Sequence, residues 1–590
     1  LERLEIPQNI INFIRRTMEK QCTNLICNKD KISQVKIEKG LLQGDSLSPL
    51  LFVMAMEPLS RRLNQCGEMV EMEEMKTNHL IFIDDIKLLA KTEAELVKLC
   101  SCTDDCLKNM KLTINQSKSA SNVTNEGTFG EKIDDENGYK YLGLLEDSRN
   151  IIKKENKEIL EDRMLHRTEK LCKTKLNAVN LFRGINEYAL STLNYYVGLL
   201  PYEPKEFKNL DKKVRKVLSE NKVTRNAANM DRLYMKRNEL GRGLINLEDK
   251  SEVMMLNLHK FLTENTQTKP VIKQEKDQGS HLGLIREYLQ RKYSLNDTEI
   301  NAKLIVMKQK KNRLDRIREK NMHKILFSNE DNIIDVKQSS MWLSKGNISP
   351  QQEGMLTKLQ DRNLYFGGLP NKCPNCRKGS RSVQHLSTHC GGMLSYDYKK
   401  RHDEVVRCLH FQLSKKYGLN NSKKMKNYEV QQVLSNDRVK IKSDIPILTE
   451  LRLEHNKPDL MVHDLRTKQI TLIEVGITNK DILANTETTK WRKYELLANE
   501  LKCMYQGHSV EIIPVVMTWD GLVTHHFKKY MKKLEVKNRL LGYIQSVVLK
   551  RTCESILIDC RREEDEIWMD EELSAIMERM ETNPDGTETE

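Results

Sequence analysis

His79-Leu80-Ile81-Phe82-Ile83-Asp84-Asp85-Ile86-Lys87-Leu88-Leu89 reads as two short apolar strands, His79 to Phe82 and Ile86 to Leu89, joined by a tight turn that carries an Asp pair. Adjacent carboxylates at a hairpin tip suit a hard, oxygen-seeking cation such as magnesium. A cation held there is placed to clamp a triphosphate. An isolated Asp-Asp ordinarily marks an exposed turn, but upstream lies Gln43-Gly44-Asp45-Ser46-Leu47-Ser48-Pro49, and the two features together point to nucleotide chemistry. Gly44 lets the backbone approach a base pair closely. Ser48-Pro49 is a good helix start, with Leu50, Leu51, Met54 and Leu59 as the expected apolar stripe.

Four blocks in order carry a resemblance to reverse transcriptases. Gly40 to Phe52 resembles the block that supports template and nucleotide, and Phe82-Ile83-Asp84-Asp85 resembles the block with the catalytic Asp pair. Leu112-Thr113-Ile114-Asn115-Gln116-Ser117-Lys118-Ser119 resembles the segment whose lysine protonates departing pyrophosphate, and Tyr139-Lys140-Tyr141-Leu142-Gly143 resembles the primer grip. The resemblance implies magnesium or manganese at Asp84 and Asp85, a nucleotide and template site at Gln43, Gly44 and Asp45, a pyrophosphate role for Lys118, and primer contact by Tyr141, Leu142 and Gly143. Reverse transcriptases of this kind carry a further catalytic aspartate in an earlier strand. The chain opens at Leu1-Glu2-Arg3-Leu4 with no initiator methionine, so the expectation is an N-terminally truncated polyprotein with weak metal binding at the pair and an incomplete polymerase.

At 590 residues the chain is too long for one core and suggests three or four domains. A net charge of +14, with 31% of residues charged, favours polyanionic partners over acidic proteins or small apolar ligands. The 14 cysteines are irregularly spaced apart from one cluster, and no N-terminal apolar segment resembles a signal peptide, which predicts a reducing, intracellular compartment. No run of about 18 apolar residues occurs, so no membrane span is expected.

Composition divides the chain. Residues 1–146 form the expected partial palm. Residues 147–264 are rich in Leu, Lys and Glu with helical periodicity, where a polymerase thumb and post-thumb region would lie. Within them Arg232-Leu233-Tyr234-Met235-Lys236-Arg237-Asn238-Glu239-Leu240-Gly241-Arg242-Gly243-Leu244 resembles a post-thumb signature of non-LTR retrotransposon proteins. Residues 265–366 are expected as a basic helical linker region, opening with the polar stretch Asn265 to Ser280 around Pro270. Lys303 to Lys324 holds nine Lys or Arg against Asp315 and Glu319, and its basic face would either lie along a phosphate backbone or simply be solvated. Residues 551–590 end in an acidic run from Glu563 to Glu590 that reads as a mobile tail.

Cys373-Pro374-Asn375-Cys376, His385 and Cys390 follow the pattern C-x2-C-x8-H-x4-C within residues 367–410. Three thiolates and one imidazole make the ligand set of a closed tetrahedral zinc site. His389 is the competing imidazole, but its adjacency to Cys390 makes good geometry for both harder and favours His385. A loop this small cannot bury a core, so the metal would hold it. Tyr398-Lys399-Lys400-Arg401-His402-Asp403 adds positive charge beside it.

Residues 411–550 hold a third constellation. His455 to Val462, with Pro458-Asp459, enters a strand, Ile470 to Val475 with Glu474 forms another, and Lys490 and Lys493 follow on a helical stretch. Asp459 and Glu474 would share a divalent metal, and a lysine would orient the attacking water and stabilise the pentavalent phosphate. Placed after a CCHC knuckle, this resembles the restriction-enzyme-like endonuclease of site-specific non-LTR elements. The lysine usual two residues after the second acid is Gly476 here, so the resemblance takes it from the helix, Lys490 ahead of Lys493 on spacing.

The expected fold is multidomain α/β plus α: palm remnant, helical thumb, zinc knuckle and a small mixed-sheet nuclease. The resemblance implies an RNA-directed DNA polymerase and DNA-nicking endonuclease of target-primed reverse transcription, with element RNA, chromosomal target DNA and dNTPs as partners, magnesium or manganese and zinc as cofactors, and the nucleus as site of action after cytoplasmic ribonucleoprotein assembly. Two other readings stand beside it: a catalytically dead, zinc-dependent nucleic-acid binder, and a maturase-like reverse transcriptase of group II introns, which would not be expected to end in a knuckle and a Pro-Asp motif.

Overall fold

The computed structural model describes residues 2–27, 30–38, 40–72, 75–123, 126–225, 228–329, 331–362, 372–373, 376–379, 382–420, 425 and 428–561. Pro374, Asn375 and the acidic run from Glu563 to Glu590 lie outside them. The chain forms two compact units, Leu1–Ile159 with His259–Gly283, and Leu160–Leu258 with Leu284–Glu590. The architecture is multidomain α/β plus α.

In the first unit, helix Ser48–Cys66 begins with proline in its first turn. Its core face differs from the expected stripe: Met56, Leu59 and Leu63 are buried, whereas Leu50 is exposed. Residues 56, 59 and 63 share one helical face and pack on Leu99, Cys102, Cys106 and Leu107 of helix Glu93–Asn109. Thr92 caps that second helix by accepting the Glu95 backbone N–H at 3.3 Å. Ile81, Ile86 and Leu88 pack against the same core and so anchor the hairpin His79–Phe82/Asp85–Leu88. The expected linker Asn265 to Ser280 contains helix Lys269–Asp277, whose proline sits in the first turn, where its missing N–H costs no hydrogen bond.

The second unit carries a five-stranded sheet, β1 (Val433–Ser435), β2 (Val439–Ser443), β3 (Leu460–Asp464), β4 (Gln469–Thr478) and β5 (Ser509–Thr518), in the order β1-β2-β3-β4-β5. All neighbours are antiparallel except β4 and β5. Around it lie α1 (Val383–Thr388), α2 (Lys399–Lys416), α3 (Leu483–Lys493), α4 (Glu495–Met504) and α5 (Asn538–Arg561). One apolar core runs from Trp342 and Leu356 through Cys373, Cys390 and Leu409 to Val475, Val515 and Ile556, across the boundaries expected at 366, 410 and 550. A Cys/His loop has too few apolar residues for a core of its own and shares that of its neighbours.

The Arg232 to Leu244 segment is built into this unit. Arg232 pairs with Asp361 at 2.8 Å, and Arg237 and Arg242 both pair with Glu353, all on or at the end of helix Pro350–Gln360. A Cβ on Gly241 would stand 2.1 Å from the Met235 carbonyl oxygen, so the turn admits no side chain there. Helix Ala302–Arg318, read as a basic face, commits part of its charge within the fold: Arg313 pairs with Asp249, Arg316 with Asp231 and Lys310 with Glu239. Among the described residues no helix is long and apolar enough to cross a membrane.

Candidate active sites and metal centre

The Asp hairpin turns on two residues, Ile83 and Asp84, with Phe82 paired to Asp85, so Asp85 belongs to the second strand and not to the turn. Ile83 holds φ at +58°, a strained conformation for a β-branched residue, and the strain is confined to the tip that carries the pair. Asp84, Asp85, Lys118, Tyr139 and Tyr141 line a cavity of about 810 Å³. The Tyr139 hydroxyl donates to the Lys118 carbonyl at 2.7 Å. Lys87 pairs with Glu146 at 2.5 Å and lies 4.8 Å from the Tyr141 ring centre, tying the Asp hairpin to hairpin Tyr139–Tyr141/Leu144–Glu146, whose turn is Leu142 and Gly143. Gln43, Gly44 and Asp45 are not part of the lining; Asp45 instead accepts the Leu47 N–H at 3.1 Å. Both aspartates of the cavity are exposed. Two exposed carboxylates give magnesium hard oxygens but leave most of its octahedral shell to water and phosphate.

Cys373, Cys376, His385 and Cys390 place their ligand atoms within 4.8 Å of one another. Cys373 Sγ and Cys390 Sγ are 3.6 Å apart, close to the edge of about 3.8 Å that a tetrahedron with Zn–S bonds of about 2.3 Å would have. Cys376 Sγ is 3.2 Å from His385 Nε2. A Cβ at Gly379 would stand 2.3 Å from the His385 ring, so a glycine is what lets the imidazole in. His389 turns elsewhere, with Nδ1 2.8 Å from Thr388 Oγ1 and Nε2 3.4 Å from Asn479 Nδ2. The backbone N–H groups of Lys378 and Gly379, with His385, lower the Cys376 thiol to about 6, while burial and the neighbouring Cys373 push Cys390 up to about 11. The donor set fits a metal that takes thiolates and one imidazole.

The third site sits on the sheet. Leu460 pairs with Ile473 in the antiparallel register, which sets Asp459 opposite Glu474 on one face. Asp459 Oδ2 accepts the Val475 N–H at 2.7 Å and lies 3.1 Å from His402 Nε2. Glu474 is buried, and its Oε1 accepts from Lys490 Nζ at 2.7 Å and Lys493 Nζ at 2.9 Å. Its Oε2 is buried with no hydrogen-bond partner. An orphaned carboxylate oxygen in this position is costly unless a cation meets it. The protein donors therefore engage one oxygen of each carboxylate, and Glu474 Oε2 is an atom that could hold a divalent metal. Burial opposes ionisation of Asp459, but His402, the Val475 N–H and Lys490 outweigh it and hold its carboxyl below the usual range. Burial likewise disfavours charged Lys490, and Glu474 and Asp459 overcome it and raise its pKa. The Tyr494 hydroxyl donates to the Lys457 carbonyl at 2.7 Å, and burial with the two carboxylate charges raises its pKa.

His402 and Tyr494 escaped the reading of the sequence. His402 lies within a run that reads as mere positive charge, and nothing in a separation of 57 residues ties it to Asp459. With Nδ1 3.1 Å from Asp403 and Nε2 the same distance from Asp459, the protonated ring satisfies both carboxylates. Burial lowers the His402 pKa, but the two carboxylates outweigh it and raise it above the usual value.

Residues 1–145 match the family described as reverse transcriptase (RNA-dependent DNA polymerase). Three Pol polyproteins of R2 retrotransposable elements are similar over parts of the chain: one from Popillia japonica at 27% identity over 25% of this chain and 27% of its own length, one from Nasonia vitripennis at 36% over 16% and 9%, and one from Drosophila melanogaster at 32% over 19% and 10%. Over those stretches the chain is homologous to R2-type Pol polyproteins, and it spans about a quarter or less of their length.

Proposed function

We propose that the chain is the reverse-transcriptase and endonuclease part of a non-LTR retrotransposon polyprotein acting by target-primed reverse transcription. The observation that carries the reading is the Asp459–Glu474–Lys490 centre, with its partnerless buried Glu474 oxygen, in a chain whose first 145 residues match reverse transcriptases. Asp459 and Glu474 hold magnesium or manganese, which supplies Lewis-acid charge at the scissile phosphate. Lys490 donates charge to the phosphate oxygens as negative charge builds there, and Lys493 donates to Glu474 Oε1 beside it. A water oxygen bonds to phosphorus, the P–O3′ bond breaks, and the 3′-oxygen leaves protonated as a primer hydroxyl. In the palm, Asp84 and Asp85 carry the metal, Tyr141, Leu142 and Gly143 hold the primer, Gln43, Gly44 and Asp45 support nucleotide and template, and Lys118 protonates pyrophosphate as the new bond forms at the α-phosphate. Cys373, Cys376, His385 and Cys390 hold structural zinc. Chromosomal DNA as substrate sets the nucleus as site of action.

The exposure of Asp84 and Asp85 favours a second, narrower reading for the palm, in which it binds primer and template but synthesises weakly with these residues alone. A coupled assay tests both: end-labelled target duplex, element RNA, dNTPs and magnesium. The proposal expects a nick, and strong extension from it in the wild type would overturn the narrower reading. Absence of any nick would overturn the nuclease.

A further inference from the structure

The Cys/His cluster and the carboxylate centre are joined by one helix. Cys390 is followed without a break by helical turns at Gly391–Met393, Leu394–Tyr398 and α2. Two successive residues of α2 face opposite ways. Arg401 is buried and donates from Nη2 to the Ser387 carbonyl at 2.6 Å, on α1, the helix that carries His385. His402 meets Asp459 Oδ2 and lies 6.2 Å from the Tyr398 ring in a stacked arrangement. From the same Cys/His unit, Gln384 reaches Asp481 at 3.1 Å and His389 reaches Asn479, both just beyond β4. Cys373, Cys390, Val405 and Val475 share one core.

We propose that His402 is a positioning residue of the nuclease centre, fixing the Asp459 carboxylate for its divalent cation, and that metal at the Cys/His cluster acts on the centre through α2. The inference rests on reading Asp459 and Glu474 as the cation's ligands. Oδ2 of Asp459 is engaged by Val475 N–H and His402 together, which orients Oδ1 as the coordinating atom. Outer-shell partners of this kind change metal affinity by about 10- to 100-fold when removed. Without metal, the turn of three cysteines and a histidine loses its closure, Arg401 loses its fixed acceptor on α1, and the next residue loses its register on Asp459.

The probe is manganese alone, titrated into the full chain without DNA and followed by electron paramagnetic resonance, in an Asp84→Asn/Asp85→Asn background that silences the palm. His402→Ala should weaken manganese binding about 10- to 100-fold, and His402→Gln, which keeps an N–H donor near Nε2, should restore most of it. Stripping zinc, or Cys376→Ser, should weaken manganese binding similarly, and His402→Ala should add little in the stripped protein, because both act on one contact. Circular dichroism of each variant checks that the sheet persists. If Asp459→Ala leaves manganese binding intact, the ligand reading fails. If Asp459→Ala abolishes it while His402→Ala leaves it unchanged, the positioning role fails. Loss with His402→Ala that His402→Gln does not repair would make His402 a ligand, and an undiminished affinity after zinc removal would overturn the coupling.

Discussion

Lys490→Ala isolates the electrostatic part of the nuclease chemistry. Two lysines donate to Glu474 Oε1, but Lys490 is the more buried, with side-chain exposure of 23% against 32% for Lys493, and it feels the charge of Asp459 as well as Glu474. Lys493 instead lies over the Tyr494 ring at 4.8 Å. Removing a preorganised charge that meets the transition state costs roughly 100- to 1,000-fold in rate, about 2.7–4 kcal/mol. Lys490→Ala should therefore slow metal-dependent nicking by at least about 100-fold. Lys493→Ala, which removes support for Glu474 alone, should cost roughly tenfold, about 1.4 kcal/mol. Neither change leaves Glu474 without a cation, so the fold should lose well under the about 3–5 kcal/mol of a broken buried pair. The assay is single-turnover nicking of a supercoiled duplex, with DNA affinity measured in parallel over a range of salt. Affinity should fall steeply with salt and equally in all three proteins, because phosphate contacts dominate it. A larger loss in Lys493→Ala would reverse the assignment, and full activity in Lys490→Ala would refute the electrostatic role.

The remaining predictions concern the metal cluster and the palm. Freshly purified reduced protein should carry zinc at one site, lost in Cys376→Ser and His385→Ala and kept in His389→Ala; elemental analysis decides, and loss in His389→Ala would exchange the two imidazoles. Because the Cys376 pKa is lowered to about 6, its thiolate is populated above that pH, so zinc-stripped protein should be alkylated there first, with a midpoint near pH 6 read by peptide mapping. A midpoint in the ordinary thiol range would remove the backbone N–H explanation. Primer extension on an RNA template should be weak, since among the described residues the cavity's only aspartates are the exposed Asp84 and Asp85; vigorous synthesis abolished by Asp84→Ala would show that another carboxylate completes the site.

Local signals made much of this legible. The two apolar runs around Asp84 and Asp85 carry their own turn, and Cys373, Cys376, His385 and Cys390 follow a ligand spacing within one short segment, so no distant element is needed to bring them together. Asp459 and Glu474 meet because antiparallel register puts them opposite, a relation that two strand-like runs and a short connection already contain. What escaped depends on tertiary packing. His402 reads as one more charge until α2 folds against the sheet, Arg313 and Arg316 read as part of a basic face until Asp249 and Asp231 arrive from distant helices, and the signature from Arg232 to Leu244 does not itself reveal that its arginines pair with Asp361 and Glu353. The helix at Lys269–Asp277 was hidden by a proline that breaks helices inside but suits the first turn.

The most direct test compares nicking of the element's own insertion locus by wild type and Asp459→Ala, at equal zinc content and with magnesium present. Wild type should nick one strand and leave a 3′-hydroxyl, and Asp459→Ala, which removes a metal ligand at the scissile phosphate, should bind the same DNA without cutting it. Equal rates would place the chemistry elsewhere in the chain, and no cleavage by either protein would leave a zinc-dependent nucleic-acid binder in place of the enzyme.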